Sequence, residues 1–192
     1  QTAERIRNFY PDKREDNIYY WICGLIHDIG KVLFKFKEKN WSIVGDTYVV
    51  GCKFPETIVY YDTMKENEDY NNTIYNTELG IYDKKCGLDS LKLSYGHDEY
   101  LYMVLSCEKN RDKHKFPKKL QRIIRYHSFY PWHTGESYKE FMTESDKYLL
   151  ESVRHFNNFD LYSKNDDINI TENTKNFYKE LLDNYFPVEL WW

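Results

Sequence analysis

Five residues able to bind a metal interrupt apolar helical stripes in this sequence: His27, Asp28, His97, His127 and Asp160. In Pro117–His127 the apolar positions Leu120, Ile123 and Ile124 lead along one face to His127. His97 shares a face with Leu101, Val104 and Leu105, while Leu149, Val153 and Phe156 lead at the same spacing to Asp160. His27 follows Ile26, with Asp28 adjacent and Lys31 one turn on. Helical geometry turns each of these polar groups toward the core, where an uncompensated imidazole or carboxylate is costly. A single histidine on an apolar face is more often a hydrogen-bonded core residue than a ligand, and Asp160 alone could cap or buttress a neighbouring helix. Four interruptions in the order His-Asp, His, His, Asp carry a stronger signal. Imidazole and carboxylate without thiolate suit iron, manganese or zinc. Adjacent His and Asp can serve two metals if the carboxylate bridges, so the constellation reads as a helical metal site of dinuclear type.

The same spacing defines the elements that must position these groups. Residues 17–36 read as one helix, with Tyr20, Cys23, His27, Lys31 and Phe34 near one face. Gly30 lies inside it at a cost of roughly 1 kcal/mol against Ala, so something uses its missing side chain. Helical spacing returns at His97–Cys107 and at Pro117–His127, where Pro117 suits a first turn. It returns again at Glu144–Phe159 and at Glu172–Tyr185, which stops before Pro187. The chain begins with a helix already under way. From Trp41 to Leu79 the pattern is irregular, with Gly45, Gly51, Pro55, the polar stretch Lys65–Asn76 and room for short strands such as Thr57–Tyr61. The expected fold is mainly α, a helical bundle with a long looped insertion and a few short strands.

With 192 residues, 27 Lys+Arg and 31 Asp+Glu, for a net charge of −4, the chain suits one domain with a sizeable core. That balance argues against a nucleic acid or membrane surface recruited by bulk charge. No apolar run approaches the ~20 residues of a membrane helix. The cysteines, Cys23, Cys52, Cys86 and Cys107, form no C-x-x-C pair and suggest neither a zinc ribbon nor a disulfide framework. A reducing compartment, the cytoplasm, fits them best. Signatures of a nucleophile-elbow hydrolase and of the common nucleotide cradles are absent. Cys107 reads as core, the N-x-[ST] triplets at Asn40, Asn71 and Asn169 as chance, and the heavy aromatic content as composition bias and packing.

Longer blocks then become recognisable: Gly24-Leu25-Ile26-His27-Asp28-Ile29-Gly30-Lys31, Trp41-Ser42-Ile43-Val44-Gly45-Asp46-Thr47 and Thr77-Glu78-Leu79-Gly80-Ile81-Tyr82. To these add Gly96-His97-Asp98-Glu99-Tyr100, His127-Ser128-Phe129-Tyr130-Pro131-Trp132-His133-Thr134-Gly135 and Asn158-Phe159-Asp160-Leu161-Tyr162. Together, in order from Gln1 to Trp192, they resemble the inositol oxygenase family, an oxygen-using branch of the HD-domain superfamily. The resemblance implies one HD-like helical domain over residues 1–192 holding two iron ions, a mixed-valent Fe(II)/Fe(III) pair, with O2 as co-substrate. The reaction it implies cleaves the ring of myo-inositol between C1 and C6, giving D-glucuronate and water. A monomer is expected, with membership of a larger assembly as a further possibility.

Carried over by residue, the resemblance implies that His27, Asp28 and Asp160 bind the first iron. Asp28 bridges to the second, which His97 and His127 also hold. Lys31 contacts the inositol oxygen at the first iron, where an ammonium stabilises a developing alkoxide. Gly45, Asp46 and Ser128 hold further hydroxyls, and Lys164 is a weaker candidate for the same pocket. Asp98, Glu99 and His133 are expected to orient imidazoles. His114 and His155 have no functional reading and are expected in solvent. The family's first iron takes one more histidine, just upstream of the segment matching Gln1-Thr2-Ala3-Glu4, and its N-terminal part adds inositol contacts. The expectation is therefore a partial chain of a longer enzyme. The alternatives are a catalytically inactive relative serving as a structural or binding subunit, and an HD-type phosphohydrolase, which would want an Arg/Lys cluster such as Arg122 and Arg125 at its pocket.

Overall fold

The computed structural model describes residues 1–161 and 170–192. Its frame is mainly α, as expected. The principal helices are α1 (Thr2–Phe9), α2 (Glu15–Ile26), α4 (His97–Ser106), α5 (Lys118–Tyr126), α7 (Glu144–Asp160) and α8 (Glu172–Tyr185). Two single-turn helices, α3 (Asn40–Ile43) and α6 (Tyr130–His133), lie in the connections. Helix α2 packs against α1 and α5, α5 against α4 and α7, and α7 against α1. The apolar stripes meet in one core containing Ile6, Trp21, Ile22, Leu105, Ile123, Ile124, Val153 and Phe156. No helix among the described residues is long and apolar enough to cross a membrane.

The expected helix over residues 17–36 divides in two. Helix α2 stops at Ile26, His27 and Asp28 form the junction, and Ile29–Phe36 continues as a 3-10 helix. The reason is close packing against α4. A Cβ on Gly30 would lie 1.9 Å from the carbonyl oxygen of His97, a backbone atom that cannot swing away. The missing side chain that the sequence pointed to is therefore what lets this segment touch the start of α4.

The insertion between α3 and α4 is longer and more irregular than the short strands anticipated. Among its described residues the strand pairing is a single antiparallel bridge, Val49 with Leu93. Thr57–Tyr61 is a turn region rather than a strand, because Tyr60 adopts a left-handed φ of 59° and leads into the 3-10 helix Tyr61–Glu66. The helix ends are otherwise close to the expected ones. Pro117 sits just outside α5 as its N-cap, and α7 runs one residue further than expected, through Asp160. At the start of α7 the Asp146 carboxylate accepts the Thr143 backbone N–H at 2.9 Å and its hydroxyl at 2.7 Å, closing the first turn.

Candidate metal centre

Four helix termini converge on one point. Asp160 is the last residue of α7, and His97 the first of α4. His127 and His27 each follow the last turn of a helix, α5 and α2 respectively. The core ends where these residues begin, with the Phe156 ring 5.4 Å from the His27 ring and 6.4 Å from that of His127. All three histidines and Asp160 are buried, and Asp28 is partly buried.

Each histidine places Nδ1 against a main-chain carbonyl: His27 on Gly24 at 3.0 Å, His97 on Ile43 at 2.8 Å and His127 on Ile124 at 2.7 Å. A carbonyl only accepts, so these contacts hold the ring proton on Nδ1 and leave Nε2 as a lone-pair donor. The three Nε2 atoms point inward. His97 and His127 bring theirs within 3.2 Å of each other, where two neutral imidazoles so oriented have no shared proton. His27 Nε2 lies 3.1 Å from Asp160 Oδ1 and 3.6 Å from Asp28 Oδ2. Asp28 Oδ1 lies 3.3 Å from His97 Nε2 and 3.8 Å from His127 Nε2. That oxygen is buried and makes no well-directed hydrogen bond, although Lys31 Nζ pairs with it electrostatically at 2.8 Å. Donor atoms of His27, Asp28 and His127 fall within 4.8 Å of one another, a group able to hold a metal ion. Facing lone pairs around a buried carboxylate oxygen with no directed hydrogen bond suit a cation, so the donor set fits the metal that the sequence pointed to.

Without a metal, a proton can take its place on the inward Nε2 atoms, and the carboxylates respond to the imidazoles in that protonated form. Burial opposes ionisation of Asp28, but the contacts from His127 and His97, the charge of His27 and the Lys31 ammonium outweigh it. Its carboxyl is held well below the usual range. Burial also opposes ionisation of Asp160, and hydrogen bonding from His27 with the charges of His27 and His127 brings it down. For His97 burial disfavours the proton, yet Asp28, Asp98 and the Ile43 carbonyl raise its pKa above the ordinary value.

The candidate substrate residues surround this centre unevenly. Lys31 reaches it through Asp28, with its side chain 42% exposed. Ser128 Oγ stands 3.5 Å from His97 Nε2. Gly45 and Asp46 lie on the loop after α3 and line a cleft of about 240 Å³ with Ser94 and Gly96, which none of the five candidate ligands lines. The Asp46 carboxylate accepts the Val59 N–H at 3.0 Å, and burial pushes its pKa up. Lys164 lies outside the described residues.

Three expectations need correction. Asp98 and Glu99 do not touch an imidazole: Asp98 accepts the Thr47 hydroxyl and the Glu99 N–H, and Glu99 pairs with Arg125 at 2.6 and 3.0 Å. Both point sideways from the first turn of α4 toward neighbouring elements. His133 reaches the His127 carbonyl at 3.1 Å, not its ring, so it supports the backbone of that segment. His114 is buried on the Leu105 carbonyl at 2.9 Å instead of lying in solvent, whereas His155 is exposed as expected. The arginines a phosphohydrolase would use are already paired, Arg122 with Asp146 and Asp89, Arg125 with Glu99.

Other contributors went unassigned in the sequence. Thr2 donates its hydroxyl to Asp160 Oδ1 at 3.3 Å from the first turn of α1. The Tyr130 phenol has its pKa pushed up to about 12, by burial first and then by the charges of Asp160, Asp46 and Asp28. Tyr130 lies three residues beyond His127 within one of the recognisable blocks, the one signal that could have flagged it. Thr2 carried none.

The family model for myo-inositol oxygenase matches residues 1–192. The chain belongs to the myo-inositol oxygenase family. It is 47% identical to the inositol oxygenase of Dictyostelium discoideum over 195 residues, covering 100% of this chain and 65% of that one. Against the inositol oxygenases of Danio rerio and Homo sapiens the identities are 45% and 43% over 193 residues, again with this chain fully covered. The chain spans about 65% of the length of these relatives. Four of the six recognised blocks carry the five candidate ligands: 24–31, 96–100, 127–135 and 158–162.

Proposed function

We propose that the protein containing this chain is an inositol oxygenase, which cleaves myo-inositol with O2 to D-glucuronate and water at a di-iron site. The observation that carries this is the convergence of three inward-facing Nε2 atoms on Asp28 and Asp160, in a chain of this family. His27, Asp28 and Asp160 would hold one iron and His97 and His127 the other, with Asp28 between them. Asp28 has one oxygen nearest His27 and the other nearest His97 and His127, the disposition a bridging carboxylate requires. When bound, the irons supply the Lewis acidity and the electron transfers that a four-electron oxidation by O2 needs.

The chain's own residues bind, orient and shield. The Nδ1 contacts fix each ring so that Nε2 meets its metal without reorganisation. Lys31 carries its ammonium at the mouth of the centre, where it would hold the inositol oxygen to be oxidised and stabilise it as its proton leaves. Ser128, Gly45 and Asp46 would fix other hydroxyls and present C1 for reaction, with Lys164 a further candidate. Phe156 closes the core side against water. Action as a monomer in the cytoplasm belongs to the same reading. The test supplies myo-inositol and O2 to the purified full-length protein loaded with ferrous iron. One glucuronate per O2 consumed is expected. Phosphate release from a nucleotide without O2 uptake would replace this reading with hydrolysis.

A further inference from the structure

Between Ile43 and Thr47, the loop that carries Gly45 and Asp46 has one side-chain tie of its own, the Asp46 carboxylate accepting the Val59 N–H at 3.0 Å. Val44 and Gly45 are exposed, and a Cβ on Gly45 would meet nothing within 4 Å. Its two ends, by contrast, are tied to the segments that carry the candidate ligands. The Ile43 carbonyl takes Nδ1 of His97 at 2.8 Å. Thr47, only 2% exposed, makes two contacts at once. Its backbone N–H donates to the Ser128 carbonyl at 2.9 Å, one residue past His127. Its hydroxyl donates to Asp98 Oδ2 at 2.5 Å, one residue past His97. Asp98 is 1% exposed, and its other oxygen takes the Glu99 N–H at 2.9 Å. A buried carboxylate with so few partners binds a donor tightly, because leaving an oxygen unpaired in the interior is costly.

We propose that Thr47 is a positioning residue whose hydroxyl, through Asp98, fixes the Gly45–Asp46 loop in register with the His97 and His127 segments and so sets the affinity for a polyol substrate. The metal ligands themselves do not depend on it, since the His97 ring is held by Ile43 and the His127 ring by Ile124. This rests on the reading of Gly45 and Asp46 as inositol-binding residues, and the experiment separates the two.

The test compares Thr47→Val, which keeps the shape and removes the donor, with Thr47→Ser, which restores it, in the full-length iron-loaded protein. Three quantities are read: KM and kcat for myo-inositol, iron per chain, and amide exchange of residues 44–48. For Thr47→Val the expected result is a KM raised about tenfold, in keeping with the loss of a hydrogen bond to a charged group. Exchange of 44–48 rises by a similar factor, iron content is unchanged, and Thr47→Ser returns both to near the parent. Thr47→Cys, a weaker donor, falls between them and supplies the comparison if the valine variant does not fold. Unchanged KM and exchange would overturn the proposal. So would a loss of iron and kcat at constant KM, which would make Thr47 a support for the histidines. If the parent makes no glucuronate, the substrate reading fails, while exchange in the metal-free protein still decides whether Thr47 holds the loop.

Discussion

Three imidazoles, each with Nδ1 on a carbonyl one turn back or across the chain, define what individual residues can do here. His127→Ala removes one of the three inward-facing Nε2 donors, so metal content should fall and oxygenase activity with it; both can be read on the same iron-loaded sample. Lys31→Ala should keep the metal and lower turnover on the order of 100-fold, as losing one preorganised charge does. Unchanged kinetics would make Lys31 a solvated surface cation. The metal-free protein should also show a staged response to pH. His133 has a pKa lowered to about 4, by burial first and then by the charges of His127 and Arg154. Between its usual 6.5 and about 4 the unfolded chain gains a proton that the folded one does not, so stability falls with pH across that window. The total is on the order of 3 kcal/mol. His97 works above that window: its raised pKa gives stability that is full below 6.5 and lost as pH rises through its folded value. Asp28 and Asp160 work beneath it, giving stability that is present above 3.8 and lost as pH falls further. Unfolding temperature measured against pH in chelator should therefore decline from 6.5 to 4, and His133→Gln should flatten that decline. The candidate ligands were legible because their polarity breaks an apolar period. Their carbonyl partners were not, since a main-chain oxygen has no side-chain identity to read.

At the scale of elements, the junction between α2 and the 3-10 helix Ile29–Phe36 decides the geometry of the centre. It turns the chain so that consecutive residues His27 and Asp28 both face inward, which a continuous helix would separate by about 100°. The sequence showed the helical period through this region and the oddity of Gly30, but not the break. The break depends on the main chain of α4, far away in sequence. Gly30→Ala would force a Cβ onto the His97 carbonyl and push the two segments apart. It should cost about 3 kcal/mol or more of stability and weaken metal binding together. A thermal melt with metal analysis checks this, and a variant as stable and metal-replete as the parent would show that the close approach is dispensable. In the insertion, short strands were expected from β-prone residues such as Ile58, Val59 and Tyr60, yet turns and side-chain acceptors take their hydrogen bonds. Local propensity there yields to the need to bring Gly45–Thr47 alongside His97 and Ser128.

Across the whole molecule, apolar faces and candidate functional groups share the same helices, with the core on one side and the candidate metal donors at the ends. This is why a period analysis found both at once, and why Phe156 belongs to each. Binding of a cation only to the folded state should stabilise it by about 4 kcal/mol at a thousandfold excess over Kd. Chelation should therefore lower the unfolding temperature by several degrees, reversibly on adding iron. The most direct test of the centre is a count. The full-length protein is loaded with ferrous iron without oxygen, freed of excess metal, and its iron per chain determined. Two irons per chain are predicted, falling to one or fewer in His127→Ala. Absence of tightly held iron in the parent, or full occupancy in His127→Ala, would contradict the assignment of these residues to a di-iron site.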